Sequence, residues 1–286
     1  MIDLHVHTSC SDGSFAPAAV VALAAETGLS AIAITDHDTV DGIDEALAAG
    51  REHGVQVIAG VELSLDHGPR MLDVLGYFFD GLTAGPMHDK LAELRTYRHE
   101  RNAVILERLA ELGMPVTTDE LAGIADGEAV GRPHIAEALR RRGDVETINE
   151  AFERFLRRGA PAYVDRRRLS LGEGIRLITA AGGVVAIAHP GLIRTDEVGL
   201  AALVRDASRL GVVAIECLYP AHSAETEARC LALAARHGLL PTAGSDFHGT
   251  VKPEIKLGRS GLTPSGADRT IPDSLLAELR ERSRRH

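Results

Sequence analysis

Histidines and carboxylates recur at the ends of apolar runs in this 286-residue chain. His5 and His7 close the run that begins Ile2-Asp3-Leu4, and Asp12 follows in the next loop. Asp36-His37-Asp38 follows Ala31–Ile34, Glu62 follows Val55–Ala59 within Gly60-Val61-Glu62, and Asp73 sits inside Leu72–Leu75. His189-Pro190-Gly191 follows Val184–Ala188, and Asp246-Phe247-His248 follows Leu239–Ala243. On an extended strand residues i and i+2 point the same way, so His5 and His7 turn both imidazoles to one side. A single histidine at a strand end is an ordinary hydrogen-bonding residue, but five histidines and four acids at such ends form a ligand set. Imidazoles with carboxylates and no thiolate suit Mn, Fe or Zn. Their number exceeds the four donors of one tetrahedral site, which points to two or three divalent ions.

The elements that must carry these residues follow a regular pattern. Helical stretches at Pro17–Thr27, Gly42–His53, Leu171–Ala181, Ala201–Leu210 and Ala224–His237 each stop at a glycine, the residue that best takes the left-handed conformation after a helix. With the apolar run Val212–Ile215 there are about seven strand–helix units. That alternation predicts an α/β fold with a parallel sheet, closed or nearly closed into a barrel, in which strand carboxyl ends converge on one mouth. Between Gly81 and Ala160 there is no strand pattern; helices are expected over Asp89–Leu112, Thr117–Ala125, Arg132–Arg141 and Val145–Leu156. The domains expected are therefore a barrel of residues 1–80 and 161–286 and an all-helical insertion of residues 81–160. The tail from Gly258 ends in a helix rich in Arg and Glu, read as a solvated face.

Composition narrows the function classes. Apolar residues make up 45%, enough for a sizeable core. A net charge of −10 argues against sequence-independent binding to DNA or to an anionic membrane, and 3% aromatic residues without Trp argue against a base-stacking platform. Three scattered cysteines suggest neither a disulfide framework nor a thiolate zinc site and point to the reducing cytoplasm. Candidate ligands begin at position 3 and apolar runs are short, so neither a signal peptide nor a membrane span is expected. No P-loop or dinucleotide fingerprint occurs.

The motifs Asp3-Leu4-His5-Val6-His7-Thr8, Thr35-Asp36-His37-Asp38, Gly60-Val61-Glu62, Ala188-His189-Pro190-Gly191 and Gly244-Ser245-Asp246-Phe247-His248 resemble, in order, those of the PHP (polymerase and histidinol phosphatase) family. Gly131-Arg132-Pro133-His134 and Gly159-Ala160-Pro161-Ala162-Tyr163-Val164 extend the likeness to its bacterial 3′,5′-nucleoside bisphosphate phosphatases and 5′–3′ exoribonucleases. The resemblance implies a distorted (β/α)7 TIM-like barrel with up to three metals. It implies His5, His7, Glu62 and Asp246 on one metal, Glu62 bridging to a second shared with His189, and Asp12, His37 and His248 on a third. Relatives often carry His where this chain has Asp73, a harder ligand that would favour Mn or Fe or else leave the second site weak.

Such a cluster suits phosphate ester hydrolysis. Closely spaced divalent ions neutralise the phosphoryl oxygens and supply a nucleophile at neutral pH, while positive side chains stabilise the charge that develops. Arg132 and His134 are the candidates for that charge, and His222 for donating a proton to the leaving group. The expectation is a cytoplasmic hydrolase of small phosphorylated nucleotides, with 3′,5′-bisphosphates preferred, short RNA as a further substrate and Mn as the first choice of metal. A histidinol phosphatase and a catalytically inactive metal or nucleotide sensor are the alternatives.

Overall fold

The computed structural model describes residues 1–82, 84–125, 130–165, 167–262, 268–270 and 273–284. The chain divides into two compact units, Met1–Asp89 with Arg168–His286, and Lys90–Arg167. It starts with β1 (Ile2–Val6), α1 (Pro17–Glu26), β2 (Ala31–Ile34), α2 (Ile43–His53), β3 (Gln56–His67) and β4 (Arg70–Phe78). Next come α3 (Ala84–Glu111), α4 (Thr118–Ala125), α5 (Arg132–Arg142) and α6 (Ile148–Ala151), which runs into a π-helical turn over Phe152–Leu156. After β5 (Leu169–Ser170) and α7 (Leu171–Ala180) the pattern alternates through β6 (Val184–Ile187), α8 (Glu197–Arg209), β7 (Ala214–Leu218), α9 (Ala224–His237) and β8 (Leu240–Ala243). A small antiparallel pair, β9 (Arg259–Leu262) and β10 (Asp268–Thr270), precedes α10 (Ser274–Ser283).

In the first unit the sheet runs β1-β2-β3-β4-β6-β7-β8, with β5 added beside β3. It nearly closes on itself. Val6 pairs with Phe247, His7 N–H donates to Phe247 O and Asp246 N–H donates to His5 O, both at 2.9 Å. The expectation of a wholly parallel sheet is corrected at β4, which runs antiparallel to both β3 and β6. Only Gly68-Pro69 separates β3 from β4, and a loop that short can build a hairpin but not a parallel crossover. β3 also continues well past Gly60, which reads in sequence as a strand stop. That glycine answers a close approach instead: a Cβ there would lie 2.8 Å from Ile34 O and 3.0 Å from Gly76 O. Glu62 therefore stands inside a strand rather than after it.

Helix starts explain the spacing between strands. Ser170 and Glu173 form a reciprocal cap on α7, with Ser170 N–H donating to Glu173 Oε2 at 2.8 Å. Asp196 Oδ1 accepts from Gly199 N–H at 2.8 Å, so α8 begins several residues before the expected Ala201. The barrel core collects Ile2, Leu4, Ile58, Leu75, Tyr77 and Ala186. Leu275 and Leu279 of α10 belong to it, so the tail helix has a buried face as well as a solvated one.

The second unit holds its own apolar core, including Ile105, Leu109, Ile135, Leu139 and Leu156. Its helices fall within a few residues of the expected bounds. Among the described residues no helix is long and apolar enough to cross a membrane.

Tyr77 is fully buried and its hydroxyl donates to Leu4 O at 3.0 Å, tying β4 to the strand that carries His5. Tyr77→Phe keeps the packing and removes one buried hydrogen bond. It is expected to lower stability by about 1 kcal/mol in denaturant unfolding; an unchanged midpoint would show that this bond contributes nothing.

Candidate metal centre

The convergence begins with Glu62, whose carboxylate is completely buried. Its Oε2 lies 3.2 Å from His5 Nε2, 3.2 Å from His7 Nε2 and 3.3 Å from His37 Nδ1. Its Oε1 lies 3.0 Å from His189 Nε2. Asp246 Oδ1 faces the same imidazoles, 3.1 Å from His7 Nε2 and 3.5 Å from His5 Nε2. Asp12 lies 3.3 Å from His248 Nε2, 3.6 Å from His7 Nδ1 and 3.7 Å from His37 Nε2. The donors form three groups: His7, Asp12, His37 and His248; His5, Glu62 and His189; and His5, His7 and Asp246. Within each group the donor atoms lie within 4.8 Å of one another.

The backbone is bent to bring them there. His189 and Asp246 have φ of 23° and 57°, and Asp38, next to His37, has 53°. Such angles are strained for residues with a side chain and persist only where neighbours enforce them. Asp38 N–H donates to Glu62 O, and Glu62 N–H to Asp36 O, which locks the His37 loop onto β3. Asp36 accepts from Thr8 N–H at 2.7 Å and Ser11 Oγ–H at 2.6 Å, so it shapes the loop that carries Asp12. Asp3 accepts from Ser245 N–H at 3.0 Å and Gly258 N–H at 2.7 Å, anchoring the segment before Asp246.

The donor set fits divalent cations. His5 Nε2 and His7 Nε2 stand only 3.1 Å apart; two neutral nitrogens turn lone pairs on each other there, and a shared positive charge removes the conflict. Burial opposes charge on His5, but Glu216, Glu62 and Asp246 outweigh it and raise its pKa well above the usual value. Burial likewise opposes charge on His7, yet hydrogen bonds to Asp246 and Glu62 push it up to about 9. The acids respond in reverse. Burial disfavours ionised Glu62, Asp246 and Asp12, and the facing imidazoles override it and hold all three below the ordinary carboxylate range. A site that draws positive charge so strongly, and offers nitrogen and oxygen without sulfur, matches Mn, Fe or Zn.

Three residues escaped the sequence reading. Glu216 lies against His5 Nδ1 at 3.2 Å, one position past the apolar run Val212–Ile215 that marks its strand. Tyr219 donates its hydroxyl to Asp246 Oδ2 at 2.7 Å, and Lys252 Nζ reaches the same oxygen at 2.8 Å. The only signal for them was their position close behind strand ends already rich in polar residues.

Other expected site residues lie differently. Asp73 stands outside the three groups among the described residues. It sits opposite Ser64 in the hairpin, its Oδ1 is buried with no hydrogen-bond partner among the described residues, and burial, then Glu62, raises its pKa. His222, expected as a proton donor, sits among main-chain groups. Its Nδ1–H donates to Cys217 O at 3.0 Å and its Nε2 accepts from Gly191 N–H at 3.1 Å, so main-chain groups occupy both nitrogens. Arg132 and His134 belong to the second unit. Arg132 donates to Leu156 O and lies over the rings of Phe152 and Tyr163, and His134 Nδ1 accepts from Gly131 N–H.

Comparison with known proteins identifies the family. The PHP domain profile matches residues 3–110. A 3′,5′-nucleoside bisphosphate phosphatase of Chromobacterium violaceum is 33% identical over 256 residues, covering 86% of this chain and 87% of that protein. The 5′-3′ exoribonuclease Rnm of Escherichia coli is 32% identical over 268 residues, covering 93% and 91%. A crystal structure from Bifidobacterium adolescentis, provisionally described as a metal-dependent phosphoesterase, superposes with a TM-score of 0.79 at 31% identity and covers 98% of this chain and 96% of its own.

Metal binding requires neutral imidazoles, so below pH 9 a cation must displace a proton from His7. Mn²⁺ affinity is expected to strengthen from about pH 6.5 to 9, with proton release visible as buffer-dependent heat in calorimetry. The chelated protein should behave oppositely. His7 has a higher pKa folded than unfolded, so its stabilisation is present below about pH 6.5 and lost as pH rises through 9. Affinity independent of pH would contradict this electrostatic account.

Proposed function

The chain belongs to the PHP family of metal-dependent phosphoesterases and is a phosphoric ester hydrolase, and from that premise we propose that its substrates are small phosphorylated nucleotides. The preferred reaction is removal of the 3′-phosphate of nucleoside 3′,5′-bisphosphates, with 5′-to-3′ trimming of short RNA at the same site. The observation that carries this reading is the buried Glu62 carboxylate facing four imidazoles, a node suited to adjacent cations. The names of the Chromobacterium and Escherichia relatives support the choice of substrate.

In this reading His5, His7, Glu62 and Asp246 would hold one cation, Glu62 and His189 would contribute to a second, and Asp12, His37 and His248 would hold a third. Mn is the first choice because oxygen and nitrogen donors are mixed. Bound divalent ions neutralise a phosphate ester and provide a nucleophile at neutral pH. The protein's part is to fix the geometry. Tyr219 and Lys252 bond Asp246 Oδ2 and leave Oδ1 directed at the imidazoles. The half-buried ammonium of Lys252 also brings positive charge to this side of the cluster, where a phosphate would seek it. The unpartnered Oδ1 supports Asp73 as a further oxygen ligand. Arg132 and His134 remain proposed phosphate-binding groups on the strength of their motif. Residues 81–160 are read as a helical insertion into the barrel chain, and the protein as cytoplasmic, without stable binding to DNA.

The test is a Mn²⁺-dependent assay on adenosine 3′,5′-bisphosphate, AMP, histidinol phosphate and a short RNA. The bisphosphate should turn over fastest, losing its 3′-phosphate. His37→Ala should lose on the order of 10²-fold or more in activity, whereas His237→Ala, at the far end of α9, should match the wild type. Fastest turnover of histidinol phosphate would overturn the substrate, and metal binding without any turnover would point to a sensor.

A further inference from the structure

Glu216 is almost completely buried in β7 and belongs to none of the three donor groups among the described residues. Its carboxylate nevertheless touches two of them. Oε1 and Oε2 lie 3.2 and 3.4 Å from His5 Nδ1, and Oε2 accepts the main-chain N–H of His189 at 2.8 Å. A carboxylate only accepts, so with a cation bound among Glu62, His7 and Asp246 the one proton left on His5 would be held on Nδ1 by Glu216, and the Nε2 lone pair would face the cation. The second contact braces the positive-φ backbone at His189, whose Nε2 points at Glu62. One side chain thus orients both an imidazole that two groups share and the backbone of another.

The packing around Glu216 is built for this contact. A Cβ on Gly244 would lie 2.7 Å from Glu216 Oε1 and would press on the Cβ of His5. Only a glycine lets the strand-end segment after β8 pass so close to the pair.

We infer that Glu216 is a positioning residue that sets the tautomer of His5 and the backbone of His189, and so tunes the cations those two histidines hold without touching the cation held by Asp12, His37 and His248. The inference rests on the proposed metal centre. Carboxylates that accept from the far nitrogen of a ligating imidazole sharpen its orientation and raise its basicity, and their removal weakens metal binding roughly 10- to 100-fold.

The experiment is equilibrium dialysis of the full chain against Mn²⁺ with metal analysis, alongside the Mn²⁺ electron paramagnetic resonance spectrum. It compares wild type, Glu216→Gln, Glu216→Ala, Gly244→Ala and Asp12→Asn. The glutamine is isosteric but turns an amide toward one of the two N–H donors, and Gly244→Ala displaces the pair while leaving the carboxylate in place. Both, like Glu216→Ala, should weaken the His5 and His189 cations roughly tenfold or more while one cation stays at wild-type affinity. The coupled spectrum of adjacent ions should give way to the six-line signal of an isolated ion. Asp12→Asn should show the opposite selectivity. Thermal melts of the chelated variants separate a folding defect from a binding defect, and Glu216→Gln decides if Glu216→Ala does not fold. Wild-type affinity and a coupled spectrum in Glu216→Gln, or equal loss of every cation, would overturn the inference alone. A wild type that binds no Mn²⁺ would overturn the metal centre beneath it.

Discussion

A single buried carboxylate surrounded by four imidazoles is the constraint on which the rest of this structure turns. Glu62 has no access to water, so its charge has to be met inside the protein. His5, His7, His37 and His189 meet it, from β1, from the loop after β2 and from the end of β6. Removing one partner from so dense a set leaves the others with uncompensated buried charge, and the cost of that is high. The cluster therefore specifies where three strand ends must meet, as well as what can bind among them.

The sheet answers that demand. Pairing of Phe247 with Val6 brings the segment after β8 round to β1, which carries Asp246 up to His5 and His7. The β3–β4 hairpin allows Glu62 to stand within a continuous strand, held on both edges by main-chain bonds, rather than in a loop. Asp3 contributes from below by accepting N–H groups of Ser245 and Gly258. Asp3 is fully buried, and that burial raises its pKa against the pull of those bonds.

Much of this could be read from residue types. Apolar runs alternating with helices that stop at glycine marked the seven strands of the sheet path, and the polar residues at or near most of their ends include every member of the three groups. Three misreadings each have their own physical cause. Gly60 looks like a stop but is a close-packed strand position, because glycine is selected by crowding as well as by turns. β4 reads like any buried strand, and its direction depends on a two-residue turn. Glu216 gave almost no signal, since a lone glutamate behind an apolar run differs from a surface glutamate only through what it faces across the fold. His222 presents the converse case: a histidine near a strand end reads as chemical, and both its nitrogens also face main-chain groups.

The most direct measurement of the central claim is anomalous X-ray diffraction at the manganese edge from crystals grown with Mn²⁺. The account predicts strong anomalous peaks within about 2.0–2.3 Å of His5 Nε2, His7 Nε2, Glu62 and Asp246, with neighbouring peaks toward His189 and toward Asp12, His37 and His248. Peaks confined to surface carboxylates, or none between His5 and His7 at saturating Mn²⁺, would contradict it.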